Sequence, residues 1–415
     1  MSLTPDQVGL IKATVPILRD HGVTITATFY KNMLAAHPEL HSVFNTANQF
    51  NGHQPKALAG ALFAYASHID DLGALGPAVE LICHKHASLY IQPEQYDIVG
   101  KYLLEAMGQV LGSALTPEIL DAWATAYGQL AKIMINREAE LYRQSEGWTQ
   151  FRDFRVVAKV PESAEITSFH LAPVDGQPLP KFQPGQYISV QLFVPDLKYP
   201  QARQYSLSDA PQSDHYRISV RKHAGLDPSN PGTRVNPGYV SNLLHANVQE
   251  GDVIKVSHPY GDFFLREELA GKNPIVLLGA GVGLTPLMSI LNTLAGNTAS
   301  DRPVTFIHGA RTARARAFHG YVQGLKEKIP SLRTTFFNSE PAADEIAGVD
   351  YDKAGRISMP LLDRSADLHL DDPTTGYYVC GPESFMIDMR AWLREQGVSD
   401  DRLNLELFGT GGVPT

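Results

Sequence analysis

Cysteine is nearly missing from this chain of 415 residues: Cys83 and Cys380 are the only two, and they lie far apart in sequence. Two such thiols exclude a disulfide framework, a four-cysteine zinc site and an iron–sulfur cluster held by cysteines alone. Any electron carrier is then held by other means. Basic residues are in the minority, 35 lysines and arginines against 44 acidic residues for a net charge of −9, whereas a phosphate-backbone partner calls for clustered basic side chains. Nucleic acid is therefore not an expected partner. No run of about 18 apolar residues occurs, as a membrane span would need. The first residues carry no basic-then-apolar leader. The expectation is a cytoplasmic protein in a reducing setting, its structure opening at Thr4-Pro5-Asp6-Gln7 with a threonine cap, a first-turn proline and a glutamine closing a capping box.

What is present is the composition of an ordinary folded protein, 43% hydrophobic and 19% charged. At about 150 residues per domain the length allows two or three domains. Three textures follow one another along the chain. From Thr4 to about Tyr142 apolar residues recur at helical spacing, as in Leu58, Ala61, Leu62 and Tyr65. Breaks at His37-Pro38, Asn51-Gly52, Gly73 to Pro77, Gln92-Pro93 and Thr116-Pro117 predict six or seven helices. After Gly147-Trp148 come short alternating runs such as Tyr187 to Leu192 and Tyr216 to Val220, which predict an antiparallel barrel or sandwich. From Asn273 onward buried strands (Ile275 to Leu278, Val304 to Ile307, Thr334 to Phe337, Tyr377 to Cys380, Leu403 to Leu407) alternate with helices, the pattern of a doubly wound α/β domain. The expected domains are thus 1–147, all-α; 148–266, an antiparallel β-barrel; and 267–415, α/β.

Among fifteen histidines, selection needs a geometric reason. His86 shares a helical face with Val79, Ile82, Cys83 and Leu89, whereas His84 has Glu80 and Ser88 as helical neighbours and reads as the wetter side chain. An inward imidazole that ligates iron needs an acceptor for its second nitrogen. Glu138, on the face of Leu130, Met134, Ile135 and Leu141, is the candidate, with Tyr96 beyond the Gln92-Pro93 break as a further partner. Periodicity alone leaves Glu138 equally readable as a partly exposed glutamate near a helix end.

The segments Lys85-His86-Ala87-Ser88-Leu89, Pro93-Glu94-Gln95-Tyr96-Asp97-Ile98-Val99-Gly100 and Asn136-Arg137-Glu138-Ala139-Glu140-Leu141-Tyr142 resemble the globin domain of flavohaemoglobins. The later domains match the same family in order. That resemblance implies a haem b whose iron is held by His86, a proximal relay of Tyr96 and Glu138, and a redox-tuning role for Lys85. It implies a distal pocket of Tyr30 and Gln54, with Leu58 one turn on and Phe44 against the haem. By themselves Tyr30 reads as a core tyrosine and Gln54 as a polar residue opening a helix, and Pro55 disfavours helical geometry at Gln54.

In the barrel, Pro184-Gly185-Gln186-Tyr187 and Arg203-Gln204-Tyr205-Ser206 resemble the flavin signature of ferredoxin-reductase-like proteins. The resemblance implies FAD, with Arg203 at the pyrophosphate, Tyr205 beside the isoalloxazine, Ser206 near its N5 edge, and Tyr187 and Gln204 in the same site. A guanidinium grips phosphate with a charged fork, and a tyrosine face suits a planar ring. Gly238 to Ser241 precede a helix start whose amides could meet phosphate. The stretch from His223 to Pro237 reads as a surface insertion.

Pro274 to Leu278 run into Gly279-Ala280-Gly281-Val282-Gly283-Leu284-Thr285-Pro286, the strand, glycine turn and helix that a phosphate loop requires. The third glycine stands at Gly283 and not at Leu284, which resembles the nicotinamide domain of ferredoxin reductases more than a generic dehydrogenase. Cys380-Gly381-Pro382 ends a strand and matches that family's nicotinamide-side motif, and Glu406-Leu407-Phe408-Gly409-Thr410 resembles its flavin-covering tail, Glu406 tuning the redox centre. After His308-Gly309-Ala310 no acidic residue waits for a ribose hydroxyl, and Arg311 faces either a 2′-phosphate or solvent, so NADH and NADPH both stay open as donors.

The resemblance implies an NAD(P)H-dependent nitric oxide dioxygenase: hydride passes to FAD, single electrons pass to haem, and nitric oxide with dioxygen becomes nitrate. It implies small-molecule substrates only, no obligatory protein partner, a monomer, and a lipid as a further occupant of the distal pocket. Two rivals from other classes are an oxygen-binding or sensing globin, for which a flavin and nicotinamide pair has no purpose, and a reductase serving an outside acceptor, which leaves His86 and Glu138 unexplained.

Overall fold

A computed structural model describes residues 3–223, 226–227, 230–234, 238–266, 272–296 and 301–409. Its first third is helical: α1 (Pro5–Ala13), α2 (Val15–Ala36), α3 (Thr46–Phe50), α4 (His53–Ser67), α5 (Gly76–Ala87), α6 (Pro93–Leu111) and α7 (Pro117–Gln144). The capping box forms as expected, with Gln7 N–H donating to Thr4 Oγ1 at 3.2 Å and Thr4 N–H to Gln7 Oε1 at 3.0 Å. Each proline or glycine break separates two helices, and one further break, at Thr14 before Pro16, had no glycine or proline cluster to announce it. Ile11, Leu18, Phe29, Tyr30, Leu103 and Trp123 build the core between these helices.

Gln54 is a polar residue opening a helix, the second residue of α4, and Pro55 does not prevent its helical geometry. A first-turn proline breaks no hydrogen bond, because amides there have no acceptor within the helix. Thr26 Oγ1 on α2 donates to the Pro55 carbonyl at 2.7 Å and holds the turn in place.

The alternating runs form β1 (Arg152–Pro161), β2 (Ile166–Pro173), β3 (Tyr187–Val194), β4 (Tyr199–Ser206) and β5 (Tyr216–Arg221). A short ribbon, β6 (Leu226–Asp227) with β7 (Asn230–Arg234), lies within the expected insertion, the rest of which beyond His223 is outside the described residues. Helix α8 (Tyr239–Ala246) and β8 (Val253–Val256) follow. The six-stranded sheet runs β4-β3-β8-β1-β2-β5, antiparallel where β1 pairs β2 and β8 and where β2 pairs β5.

The last part alternates β9 (Ile275–Ala280), α9 (Leu284–Gly296), β10 (Val304–Ala310), α10 (His319–Gly324), β11 (Leu332–Asn338), β12 (Lys353–Ala354), β13 (Gly376–Cys380), α11 (Glu383–Glu395) and β14 (Leu403–Glu406). Its sheet is parallel, ordered β12-β11-β10-β9-β13-β14. Ile275 and Leu277 of β9 pack with Leu287 and Leu291 of α9, while Val276 and Leu278 pack with Met386 and Leu393 of α11. Both faces of β9 are covered, which is why its sequence is continuously apolar rather than alternating.

By compactness the chain falls into two units, one of Met1–Phe151, Ser189–Arg203 and Gly225–Val240, the other of Arg152–Ile188, Gln204–Ala224 and Ser241–Thr415.

Candidate functional site

In the helical unit, α5 ends one residue after His86, α6 opens three residues before Tyr96, and Glu138 sits on the inner face of α7. The three side chains close a triangle. His86 Nδ1 lies 2.9 Å from Tyr96 Oη and 2.9 Å from Glu138 Oε1, and Tyr96 donates to that same oxygen at 2.5 Å. Only 3% of the Glu138 side chain is exposed, which decides for the buried reading; a buried carboxylate is tolerable because two donors satisfy it. Since the carboxylate can only accept, Nδ1 carries the donating hydrogen and Nε2 is the ring nitrogen that keeps its lone pair. Burial, reinforced by the charge on Glu138, pushes the Tyr96 phenol well above its ordinary range, so it stays a donor. Burial also pushes the Cys83 thiol, one turn before His86, up to about 12, which leaves it an inert core group.

The expectation that His84 is the wetter histidine is overturned. Its side chain is 9% exposed and that of His86 33%. Arg137 explains the reversal: it donates to both Glu80 oxygens at 2.6 and 2.8 Å and roofs over the Glu80–His84 pair, whose Nε2 to Oε1 distance is 3.0 Å. Helical periodicity of α5 alone could not foresee a guanidinium arriving from α7. Tyr127, also missed, donates to the Tyr96 carbonyl at 2.6 Å and lies where a side chain at Gly100 would stand. Lys85 is half-buried beside His86 on α5.

Tyr30 on α2 is buried and packs edge-on against Phe44, with ring centres 5.5 Å apart. Burial raises the Tyr30 phenol above its usual range, and a hydrogen bond from Gln54 opposes the rise without cancelling it. Gln49 of α3 donates to Gln54 Oε1 at 2.9 Å and thereby aims the amide nitrogen of Gln54 at Tyr30. Gln49 went unnoticed in sequence, five residues away across a loop. Leu58 packs against the same core. The donors suit a planar macrocycle with iron: one imidazole braced from behind and partly open, and a neutral phenol with an amide as a separate polar pair.

On β4 stand Arg203, half-buried, then Gln204 and Tyr205, half-buried, and Ser206, buried. Arg203 donates to Asn45 Oδ1 at 2.6 Å and to Gln201 Oε1 at 3.2 Å. Tyr187 is buried at the start of β3, zipped by paired backbone hydrogen bonds of 2.8 and 2.9 Å to Tyr260. Gly261, at φ +124°, lies under the Tyr187 ring, where a Cβ would come within 3.0 Å of it. At Gly185, φ +115°, a Cβ would meet the Phe263 carbonyl at 2.7 Å. The Pro-Gly-Gln-Tyr turn is therefore a close backbone approach that only glycine permits, and the Tyr260-Gly261 partner segment is a feature the sequence reading passed over.

In the α/β part, Gly279 and Ala280 end β9, Gly281 takes φ +57°, and Gly281–Gly283 turn directly into α9 at Leu284 and Thr285. A Cβ on Gly283 would stand 2.2 Å from the Cys380 carbonyl, and one on Gly381 would stand 2.6 Å from the Phe385 ring. The glycine turn and Cys380-Gly381-Pro382 thus meet where the chain, having run outward from β9 to β12, returns to β13 on the other side. That is the switch point where ligands of such sheets bind. Gly279, Cys380 and Glu406 pair in register across β9, β13 and β14. Glu406 and Cys380 are buried, and desolvation first, then the Glu406 charge, holds the Cys380 thiol well above the usual range. His308 of β10 donates from Nε2 to the Gly281 carbonyl at 2.9 Å, and burial drops its pKa to about 4, so a neutral ring fixes the turn. Arg311 pairs with Glu165 of the β1–β2 turn and is mostly exposed. Leu407 packs on the sheet, Phe408 is 45% exposed, Gly409 closes a turn onto the Leu407 carbonyl, and Thr410 lies outside the described residues. Among the described residues no helix is long and apolar enough to cross a membrane, and no cluster of three metal-ligating side chains occurs.

Residues 27–134 match the Globin family, and residues 277–391 match the oxidoreductase NAD-binding domain family. The chain is 47% identical over 418 aligned positions to a flavohemoprotein of Bordetella parapertussis, covering 99% of this chain and 100% of that protein. The crystal structure of a flavohemoglobin from Malassezia yamatoensis, with bound FAD and heme, superposes with a TM-score of 0.83 at 28% identity over 99% of this chain and all of that one. The FAD/NAD-binding domain of a nitric oxide dioxygenase from Vibrio cholerae matches 63% of this chain and 99% of its own at 35% identity, with a TM-score of 0.54.

Proposed function

The chain belongs to the flavohaemoprotein family of oxidoreductases, and from that premise we propose that it is a cytoplasmic NAD(P)H-dependent nitric oxide dioxygenase, forming nitrate from nitric oxide and dioxygen. The observation that carries this reading is the closed His86–Tyr96–Glu138 triangle. A globin that only stores dioxygen has no need of a buried carboxylate behind its ligand, whereas a strongly donating imidazole favours activation. We read the chain as a haem domain at 1–147, an FAD domain at 148–266 and an NAD(P) domain at 267–415.

One haem b, one FAD and a nicotinamide nucleotide supply the redox chemistry when bound, and the protein supplies position and electrostatics. His86 would hold the iron through Nε2, its orientation fixed because Nδ1 is committed to Glu138. The Tyr30 hydroxyl, kept protonated by burial, and the Gln54 amide would donate to negative charge that develops on the distal side. Arg203, Gln204, Tyr205, Ser206 and Tyr187 would hold the flavin, with Leu407, Phe408, Gly409 and Thr410 covering it. Gly279 to Thr285 and Cys380 to Pro382 would hold the nucleotide, the backbone amides opening α9 meeting phosphate. Lys85 and Glu406 would bias the potentials of the two centres by their charge. The substrates are small molecules, a lipid is a candidate occupant of the distal pocket, and the protein works as a monomer without a protein partner.

The purified full chain should show a haem Soret band that shifts when NAD(P)H is added without oxygen. Absence of that band sinks the proposal, and a band that stays unreduced favours a binding globin.

A further inference from the structure

Gln201 is fully buried on a strand, yet all its polar atoms are used. Its Nε2 donates to the carbonyls of His41 at 2.7 Å and Phe44 at 3.2 Å, and its Oε1 accepts from the Thr46 amide at 3.1 Å and from Arg203 at 3.2 Å. Arg203 donates in turn to Asn45, which caps α3 by accepting from Asn48 N–H at 3.2 Å. Tyr199, two residues before Gln201, bonds Thr46 Oγ1 at 2.9 Å and stacks on His41 with ring centres 5.2 Å apart. The β4 segment therefore grips the 41–46 turn at four of its six residues.

That turn carries both supports of Tyr30. Phe44 meets the Tyr30 ring directly, and α3, capped by Asn45, carries the Gln49 that aims Gln54. We propose that Asn45 and Gln201 are positioning residues through which an anion engaging Arg203, the flavin pyrophosphate, sets the geometry of the Tyr30–Gln54 pair. The proposal rests on the reading of Arg203 as a flavin ligand. A phosphate competes for the same guanidinium donors that hold Asn45 and Gln201, and charged acceptors outbid neutral amides by about twofold in strength. Any resulting shift reaches the cap of α3 and the carbonyl of Phe44 within one residue. By linkage the effect is reciprocal: ligation at Tyr30 alters flavin affinity by the same factor.

The test uses the full haem-loaded chain, with FAD and stripped of it. Read out are the rate of dioxygen loss from ferrous protein and the C–O stretching frequency of its carbon monoxide adduct, which senses nearby donors. Wild type should differ by about fivefold or more in rate between the two forms, the lower end of ordinary couplings. Asn45→Ala and Gln201→Ala should lose that difference and show one stretching frequency in both forms. Asn45→Asp, which keeps the cap and the contact with Arg203, should retain it. A wild-type rate indifferent to FAD, or a difference that survives in both alanine variants, overturns the coupling. FAD affinity unchanged in Arg203→Ala overturns the flavin reading of Arg203, a separate failure.

Discussion

Replacing Glu138 by glutamine tests the proximal relay with almost no change of shape. The buried carboxylate oxygen accepts two hydrogen bonds, at 2.5 Å from Tyr96 and at 2.9 Å from His86. A bond to a charged acceptor is worth about 1.5–3 kcal/mol against about 0.5–1.5 for a neutral one, so the amide forfeits on the order of 1.4 kcal/mol at His86. That is roughly tenfold in imidazole donor strength, and outer partners of metal ligands typically cost about ten- to a hundredfold when lost. Nitrate formation by Glu138→Gln should therefore fall about ten- to a hundredfold. NAD(P)H-driven ferricyanide reduction, which needs only flavin and nucleotide, should hold at the wild-type rate. The iron–histidine stretching frequency should drop, reporting the weaker donor. If both activities fall in parallel, or if nitrate formation is unaffected, the reasoning about Glu138 is wrong.

Tyr30→Phe should speed dioxygen loss from the ferrous protein; with the phenol pKa pushed upward by burial, the wild-type rate should stay flat through mildly alkaline pH, and a titration there would refute a neutral donor. Gly283→Ala forces a Cβ to 2.2 Å from the Cys380 carbonyl, and at about 1–3 kcal/mol of overpacking it should lower the melting temperature and NAD(P)H use while the Soret band survives. His308, with its pKa lowered from 6.5 to about 4, binds protons more readily unfolded than folded between those values, so its contribution to stability, on the order of 3 kcal/mol, is present at neutral pH and is lost as pH falls from about 6.5 toward 4. Denaturant melts of His308→Asn should show a shallower acid limb; an unchanged limb contradicts the buried neutral ring. Glu165 pairs with Arg311 just past the end of β10, where a ribose 2′-group would sit, and Glu165→Gln should raise the NADPH to NADH ratio of kcat/KM by less than about fivefold, as befits an exposed pair. No change in that ratio would remove Arg311 from nucleotide selection.

Much of this was readable in the residues because the signals were local. Strand β9 announces itself through an unbroken apolar run, and Gly281 to Gly283 through the turn that follows it. Glu138 became a candidate because a carboxylate broke an apolar stripe on α7, yet periodicity could not say whether it was buried; that depended on Tyr96 and His86 arriving from other helices. The same limit explains the error over His84, whose cover comes from Arg137, and the silence about Gln49, Gln201 and Asn45, whose partners lie across loops or more than a hundred residues away. Local rules also overstated Pro55, since a proline in a helix's first turn costs no hydrogen bond. Capping, turns and strand runs are written in neighbouring residues; polar networks are written in the tertiary fold.

The central claim is that electrons from the nucleotide end in nitrate at the His86 site. A hydride carries two electrons and each conversion of nitric oxide consumes one, so the full chain loaded with haem and FAD, given nitric oxide and dioxygen, should form two nitrates for each NAD(P)H oxidised. Nucleotide consumption without nitrate, under the same gases, would contradict the account.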